Sequence, residues 1–157
     1  MRKEKFKQGV YEPKNPHKFT GSATGGTRAV YRSSWELRVF LFLDSSPYIV
    51  CWSSESVVIN YTFAGKMHRY YVDVYFEAVD ANGLRKKFLV EIKPYEQSIP
   101  PTPPKRMTAA SSRTYTAKAL TYQQNVAKWK AASKYAKQHG MDFFVLTERN
   151  ASFLAKS

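Results

Sequence analysis

Trp35, Val39, Phe42 and Leu43 recur at three- and four-residue spacing, the period of a helix with one apolar face, and predict a helix over 33–44. Ser33 and Ser34 stand where an N-cap belongs, and Pro47 closes the segment soon after its end. The period then changes to two. Val57 and Ile59 alternate with polar residues over 55–61, Tyr70, Val72, Val74 and Phe76 over 69–79, and Phe88, Val90 and Ile92 over 84–93. Ala64-Gly65-Lys66 and Asp80-Ala81-Asn82-Gly83 supply turns between these three strands. Pro94, Pro100, Pro101, Pro103 and Pro104 exclude regular structure until about residue 113. A long helix is expected over 114–139, with Tyr115, Ala119, Tyr122, Val126 and Trp129 on one stripe and Gly140 as its stop. Residues 141–147 read as a short apolar strand, parallel to an inner neighbour because a helix connects it back to the sheet. The order helix, three strands, helix, strand predicts an α/β domain with a central mixed sheet flanked by helices.

Two segments fall outside this pattern. Residues 1–28 carry Lys, Gly, Pro and Asn with little periodicity and predict a basic, flexible N-terminal arm before a domain over 29–157. The proline-rich stretch 94–113 is long for a compact fold, and loops of that length often serve binding.

Charge changes the picture. Against 12 Asp and Glu stand 25 Lys and Arg, a formal net charge of +13 spread over the whole chain. Such a field attracts polyanions and steers them from a distance, which favours nucleic acid as partner. Basic clusters at Arg2-Lys3-Glu4-Lys5, at Arg85, Lys86 and Lys87, and at Lys105 and Arg106 with Arg113 are candidates to line a path for double-stranded DNA. His68 and Arg69 precede a strand and are further candidates, as are Gln124 and Lys128, four apart on one helix face. No helix-turn-helix, zinc-finger or RNA-binding signature points to base reading, so contacts are expected mainly to the phosphate backbone. The single Cys51 excludes an internal disulfide and is expected to be a small buried filler in a reducing compartment. No apolar run is long enough to span a bilayer, and the basic N-terminus lacks the apolar stretch of a signal peptide.

Set in this basic chain is one acidic constellation. Glu91 and Lys93 share a strand face, with Pro94 ending the strand directly behind them. With the turn centred near Asn82-Gly83, Asp73 and Glu91 lie at matching distances from it on adjacent strands. Glu36 shares the inner face of the first helix with Val39, Phe40 and Leu43 and needs a partner or a metal there. Three acids gathered beneath a phosphate repel one another unless a cation neutralises them, and Mg²⁺, with Mn²⁺ able to substitute, takes such oxygen ligands. Asp73 and Glu91 are the expected direct ligands, Glu36 binds directly or through water, and Lys93 contacts the attacking water or the phosphate. Plainer roles stand beside these. Ser33 and Glu36 fit a capping box, Asp73 suits a half-exposed strand, and Glu-x-Lys at a strand end is a common charge pair.

These residues, in this order, resemble the restriction-endonuclease-like PD-(D/E)xK superfamily, whose core runs helix, three strands, helix, strand. Arg32-Ser33-Ser34-Trp35-Glu36-Leu37-Arg38, His68-Arg69-Tyr70-Tyr71-Val72-Asp73 and Val90-Glu91-Ile92-Lys93-Pro94 are similar to blocks of the head-completion nucleases of large tailed bacteriophages. A more distant similarity to the transposon end-cleaving endonuclease extends to Gln123-Gln124-Asn125, Lys128-Trp129 and Val145-Leu146-Thr147-Glu148. Val72 precedes Asp73 where the superfamily name has proline. The resemblance implies Asp73 and Glu91 as metal ligands, Lys93 as catalytic lysine and Glu36 as the helix-borne acid of a Mg²⁺-dependent endonuclease. It further implies a role in phage head completion after DNA packaging, in the host cytoplasm, with portal or neck proteins as partners and retention in the virion. A non-catalytic head-completion plug and a junction-resolving nuclease are the alternatives.

Overall fold

The structure is a computed structural model and describes residues 8–23 and 25–152. Among these residues nine strands and three α-helices follow one another as β1 (Gly9–Tyr11), β2 (Phe19–Ser22), β3 (Ala29–Tyr31), α1 (Ser34–Ser45), β4 (Ile49–Ser54), β5 (Val58–Phe63), β6 (Lys66–Tyr71), β7 (Val74–Val79), β8 (Arg85–Ile92), α2 (Tyr95–Ser98), α3 (Ala109–Gln138) and β9 (Asp142–Leu146), with a 3-10 turn at Pro16–Lys18. Five strands form a central mixed sheet in the order β2-β4-β7-β8-β9. The outer pairs β2/β4 and β8/β9 are parallel and the inner pairs antiparallel. β9 is thus parallel to its inner neighbour, as its helical connection requires.

Each face of the sheet carries its own core. On one, Val39, Phe40 and Leu43 of α1 pack on Trp52, Val74, Val90, Ile92 and Leu146. On the other, Ala132 and Ala136 of α3 pack with Leu89 and with Ile59, Tyr61 and Tyr70 of the separate β5–β6 hairpin. Val90 and Ile92 face α1 while Leu89 faces α3, the alternation a twice-covered strand requires.

The α/β order holds, but the strands filling it differ from the pattern reading. The first sheet strand of the core is β4, which periodicity did not mark. Residues 55–61, read as a core strand, overlap β5, which pairs instead with β6 outside the main sheet. The segment 69–79, read as one strand, breaks at Val72-Asp73 into β6 and β7. α3 begins at Ala109, earlier than expected, because Thr108 and Ser111 form a reciprocal capping box. The expected stripe on α3 is only half-buried, and the fully buried positions are Asn125, Ala132 and Ala136.

The described part of the expected arm is ordered and structural. β1 pairs with β3, β2 joins the central sheet, and Tyr11 is buried in the α1 core. The cause is Asp44 in the last turn of α1. Its carboxylate accepts hydrogen bonds from the Tyr11 hydroxyl and from the backbone N–H groups of Lys14 (2.8 Å) and Asn15 (3.1 Å). Asn15 and Lys18 also donate to the Asp44 carbonyl, and Lys18 to that of Ser46, so this segment satisfies the open C-terminus of α1. The Arg2-Lys3-Glu4-Lys5 cluster lies outside the described residues. Cys51 is half-buried rather than a core filler: its thiol donates to Glu77 (2.7 Å), and burial with that carboxylate raises its pKa to about 11.

Candidate active site

The Asp80 turn sets the register on which the site depends. Asp80 accepts at its side chain from Asn82 and Leu84 N–H, and Gly83 takes the positive φ (78°) that closes the turn. β7 and β8 then run antiparallel with Val74 opposite Val90, which carries Asp73 to the level of Glu91. Asp73 is not inside a strand. It sits at the link where the chain leaves the hairpin for the sheet, so Val72 packs toward α3 and Val74 toward α1. One Asp73 oxygen accepts the Ile92 N–H (2.8 Å), and the Asp73 carbonyl accepts the Glu55 N–H (3.0 Å).

Glu91 is buried, with the Tyr70 hydroxyl donating to one oxygen and the Lys93 ammonium 3.2 Å from the other. Glu36 lies in the first turn of α1. Ser33 caps the helix by accepting the Glu36 N–H (3.1 Å), but Glu36 returns its own bond to the N–H of Arg32 (2.8 Å), one residue before the cap. The capping box is therefore half-formed, and the Glu36 carboxylate reaches past it toward the end of the sheet.

Electrostatics ties these groups together. Burial and then the charge of Glu91 push Asp73 well above the usual carboxylate range, Glu36 adds to the effect, and the Ile92 N–H and Lys93 oppose it. Glu36 is likewise raised, by burial first and then by Glu55 and Glu91, against the Arg32 N–H and guanidinium. Tyr70 is held protonated by burial and by Glu91, so it remains the donor in their bond. Asp73, Glu91 and Glu36 thus share one mutually repelling field, which Lys93, the fourth expected catalytic residue, only partly neutralises.

Glu55 was missed by the sequence reading and belongs to this group. It follows β4 with φ of 53°, a left-handed conformation rare outside glycine, and its side chain is ion-paired with Arg32. A polar residue just past the C-terminal end of a central strand is the signal that would have found it, had β4 been recognised.

The expected DNA-contacting residues divide. Gln124 donates to the Tyr61 hydroxyl (2.8 Å), Lys128 lies 5.6 Å from the Tyr70 ring centre, and His68 stacks on Tyr61, so all three border the site through the hairpin. Arg69 is exposed on β6, opposite Asn60. Lys105, Arg106 and Arg113 are exposed on the proline-rich segment and the start of α3. Arg85, Lys86 and Lys87 begin β8, at the opposite end of the strand from Glu91. Six residues of strand put Arg85 roughly 20 Å away, and it pairs with Glu77 (3.0 Å).

At the other border, Tyr95 anchors the proline-rich segment directly behind Lys93. Its N–H donates to both Glu148 oxygens (3.2 and 3.0 Å), and the Arg149 guanidinium lies 3.6 Å from its ring centre. Beyond it, residues 96–102 and the N-terminal half of α3 enclose a cleft of about 710 Å³ lined by Ile99, Pro100, Ala117 and Tyr122.

As the side chains stand, no three His, Cys, Asp or Glu groups among the described residues are close enough to enclose a metal ion. The donor set is nonetheless what a hard divalent cation takes, carboxylate oxygens in excess of their own counter-charge. The raised Asp73 and Glu36 mark where a cation would relieve repulsion.

Two comparisons with known proteins bear on this arrangement. The model for the N-terminal domain of TnsA-like endonucleases matches residues 46–148, a span that holds Glu55, Asp73, Glu91 and Lys93. The head completion nuclease of Enterobacteria phage T4 is 37% identical over 142 residues, covering 89% of this chain and 90% of the phage protein. That second alignment is too long to fit within 46–148 and extends beyond it.

Proposed function

The chain belongs to the TnsA-like endonuclease family, and we propose that it is a divalent-cation-dependent DNA endonuclease of phage head completion, with Asp73, Glu91, Glu36 and Lys93 as its reaction centre. The observation that carries this reading is the shared field of Asp73, Glu91 and Glu36 at the end of the sheet, with Asp73 and Glu36 pushed up against a single inner lysine.

Asp73 and Glu91 would hold the cation, Mg²⁺ with Mn²⁺ as substitute, and Glu36 would complete its surroundings directly or through water. When bound, such a cation supplies Lewis acidity to a phosphoryl oxygen and lowers the pKa of a bound water. Tyr70 fixes the Glu91 carboxylate by donating to one oxygen. Lys93 lies against the other oxygen and is the side chain that must yield, turning its ammonium toward the phosphate to meet developing negative charge. Pro94 and the Tyr95–Glu148 tether hold the backbone immediately behind Lys93. The basic surface supplies phosphate contacts without base reading, so cutting shows weak sequence preference.

The phage relative's name gives head completion as the setting, and we extend it to action on packaged DNA in the host cytoplasm during assembly. Contact with portal or neck proteins and retention in the virion extend it, and mass spectrometry of purified particles tests that extension. The activity test is cleavage of supercoiled, linear and four-way duplex DNA with Mg²⁺ or Mn²⁺, wild type beside Asp73→Asn and Lys93→Ala. Wild-type cutting abolished by EDTA and by either substitution is the expected result. Equal cutting by all three proteins places the chemistry elsewhere, and retained DNA binding without cutting favours a plug.

A further inference from the structure

The site holds two cations at different depths. Lys93 is the inner one, its side chain 23% exposed and set against Glu91. Arg32 is the outer one, 55% exposed and set against Glu55. We propose that Arg32 grips the phosphate of the strand being cut at the mouth of the site, and that Glu55 is its resting partner while DNA is absent. The inference rests on the nuclease reading above and adds to it a substrate-contacting residue.

Backbone bonds fix both members of the pair to the reaction centre. The Arg32 N–H donates to Glu36 (2.8 Å), and the Glu55 N–H donates to the Asp73 carbonyl (3.0 Å). Each therefore stands one hydrogen bond from a residue proposed to hold the cation. The positive φ of Glu55 is a strained conformation that the Asp73 bond maintains, the kind of local cost that persists where a side chain must be aimed. The Arg32 guanidinium is ion-paired with Glu55, and the charges of Glu36 and Asp73 also reach it, so it lies within the field of the acidic cluster. The other ion-paired arginines among the described residues are Arg85, with Glu77 at the far end of β8, and Arg28, with Glu12.

The chemistry suits an exchange. The Arg32 half of the pair is open to solvent, where water and salt weaken an ion pair, so the guanidinium is able to exchange its partner. A guanidinium presents two parallel N–H donors that match two non-bridging phosphate oxygens, which an ammonium does not. Without Arg32, phosphate approaching Glu36, Asp73 and Glu55 meets uncompensated negative charge at the entrance.

The test uses the full chain as wild type, Arg32→Ala, Arg32→Lys, Glu55→Gln and the double variant Arg32→Ala/Glu55→Gln. Steady-state cutting of linear duplex with Mg²⁺ is read beside anisotropy of a labelled duplex in EDTA and thermal melting. Arg32→Ala should lower kcat/KM roughly 10²-fold, as loss of one preorganised donor does, and Arg32→Lys should recover only part of it. Glu55→Gln should move the other way, lowering KM about threefold, because the guanidinium no longer has to leave an anion before it meets the phosphate. The double variant should match Arg32→Ala. If Glu55→Gln instead loses activity in step with Arg32→Ala, the pair is a structural buttress and the proposal fails; wild-type activity in Arg32→Ala sinks it as well. A wild type that does not cut defeats the nuclease reading alone. Anisotropy then decides Arg32 separately: unchanged duplex affinity and salt slope in Arg32→Ala overturn its role, and a slope reduced by about one upholds it.

Discussion

Asp44, in the last turn of α1, and Asp73, at the link between β6 and β7, are two aspartates drawn out of water. Asp44 collects three donors, the Tyr11 hydroxyl and two backbone N–H groups, and these outweigh the burial that would otherwise raise its pKa. Asp73 has one N–H on its carboxylate and faces Glu91 and Glu36, so burial and repulsion together raise it. One carboxylate is answered in full by its own chain, which makes it a structural post that pins the N-terminal segment to α1. The other is left under-answered, the state expected of a group waiting for a cation and a phosphate. On the proposed reading, the same residue type serves stability in one place and chemistry in the other. The number of donors around it distinguishes them.

Substitutions can break this contrast from both sides. The largest effect is expected from Asp73→Asn, which should reduce DNA cutting by roughly 10³-fold while the melting temperature holds or rises, because a repelling charge is removed and an acceptor for Ile92 kept. A fall in melting temperature matching the loss of activity would make Asp73 another structural post. Asp44→Ala should do the reverse. Leaving its donors unanswered should cost about 3 kcal/mol, roughly 6–12 °C in a domain of this size, with activity per folded molecule unchanged.

The pH dependence of Asp44 sharpens the point. Its native pKa is lowered, so its stabilisation is fully present above the ordinary carboxylate range and is lost as pH falls through that lowered value. Melting curves of wild type and Asp44→Asn from pH 7 downward should therefore converge in acid. A constant difference at all pH values would show that charge is not what Asp44 contributes.

Smaller effects are expected at the supports. Tyr70→Phe removes the hydroxyl that fixes Glu91 and should slow cutting about tenfold at a stability change near 1 kcal/mol. Glu148→Gln leaves an acceptor for Tyr95 but removes its charge, and should alter cutting by only about threefold, the weight of one charge-assisted bond to an exposed group. An effect as large as that of Lys93→Ala would mean that the tether, rather than the strand end, positions the lysine.

Much of this molecule was legible before folding. Helical spacing marked α1 and α3, and the Asp80 turn with alternation across 84–93 fixed β8 and its register against Asp73. The hardest element to see was the break at Val72-Asp73. Tyr70, Val72 and Val74 keep a period of two throughout, yet Val72 and Val74 enter different cores because the chain changes sheets between them. Period alone cannot report such a change, since both halves alternate correctly. β4 escaped because Ile49–Ser54 ends in Ser53 and Ser54, polar residues buried where β4 pairs with β7, rather than in an apolar run. The segment 8–22 escaped because its order comes from donors meeting Asp44, some 30 residues away in sequence.

The sequence by itself determined the α/β order, the basic field and the pairing of Asp73 with Glu91, because each follows from local period, composition or a single turn. Tertiary structure decided which strands make the sheet, that Glu55 and Arg32 stand at the site, and which aspartate is satisfied. Those outcomes depend on donors and charges brought together from distant positions, and no local pattern carries that information.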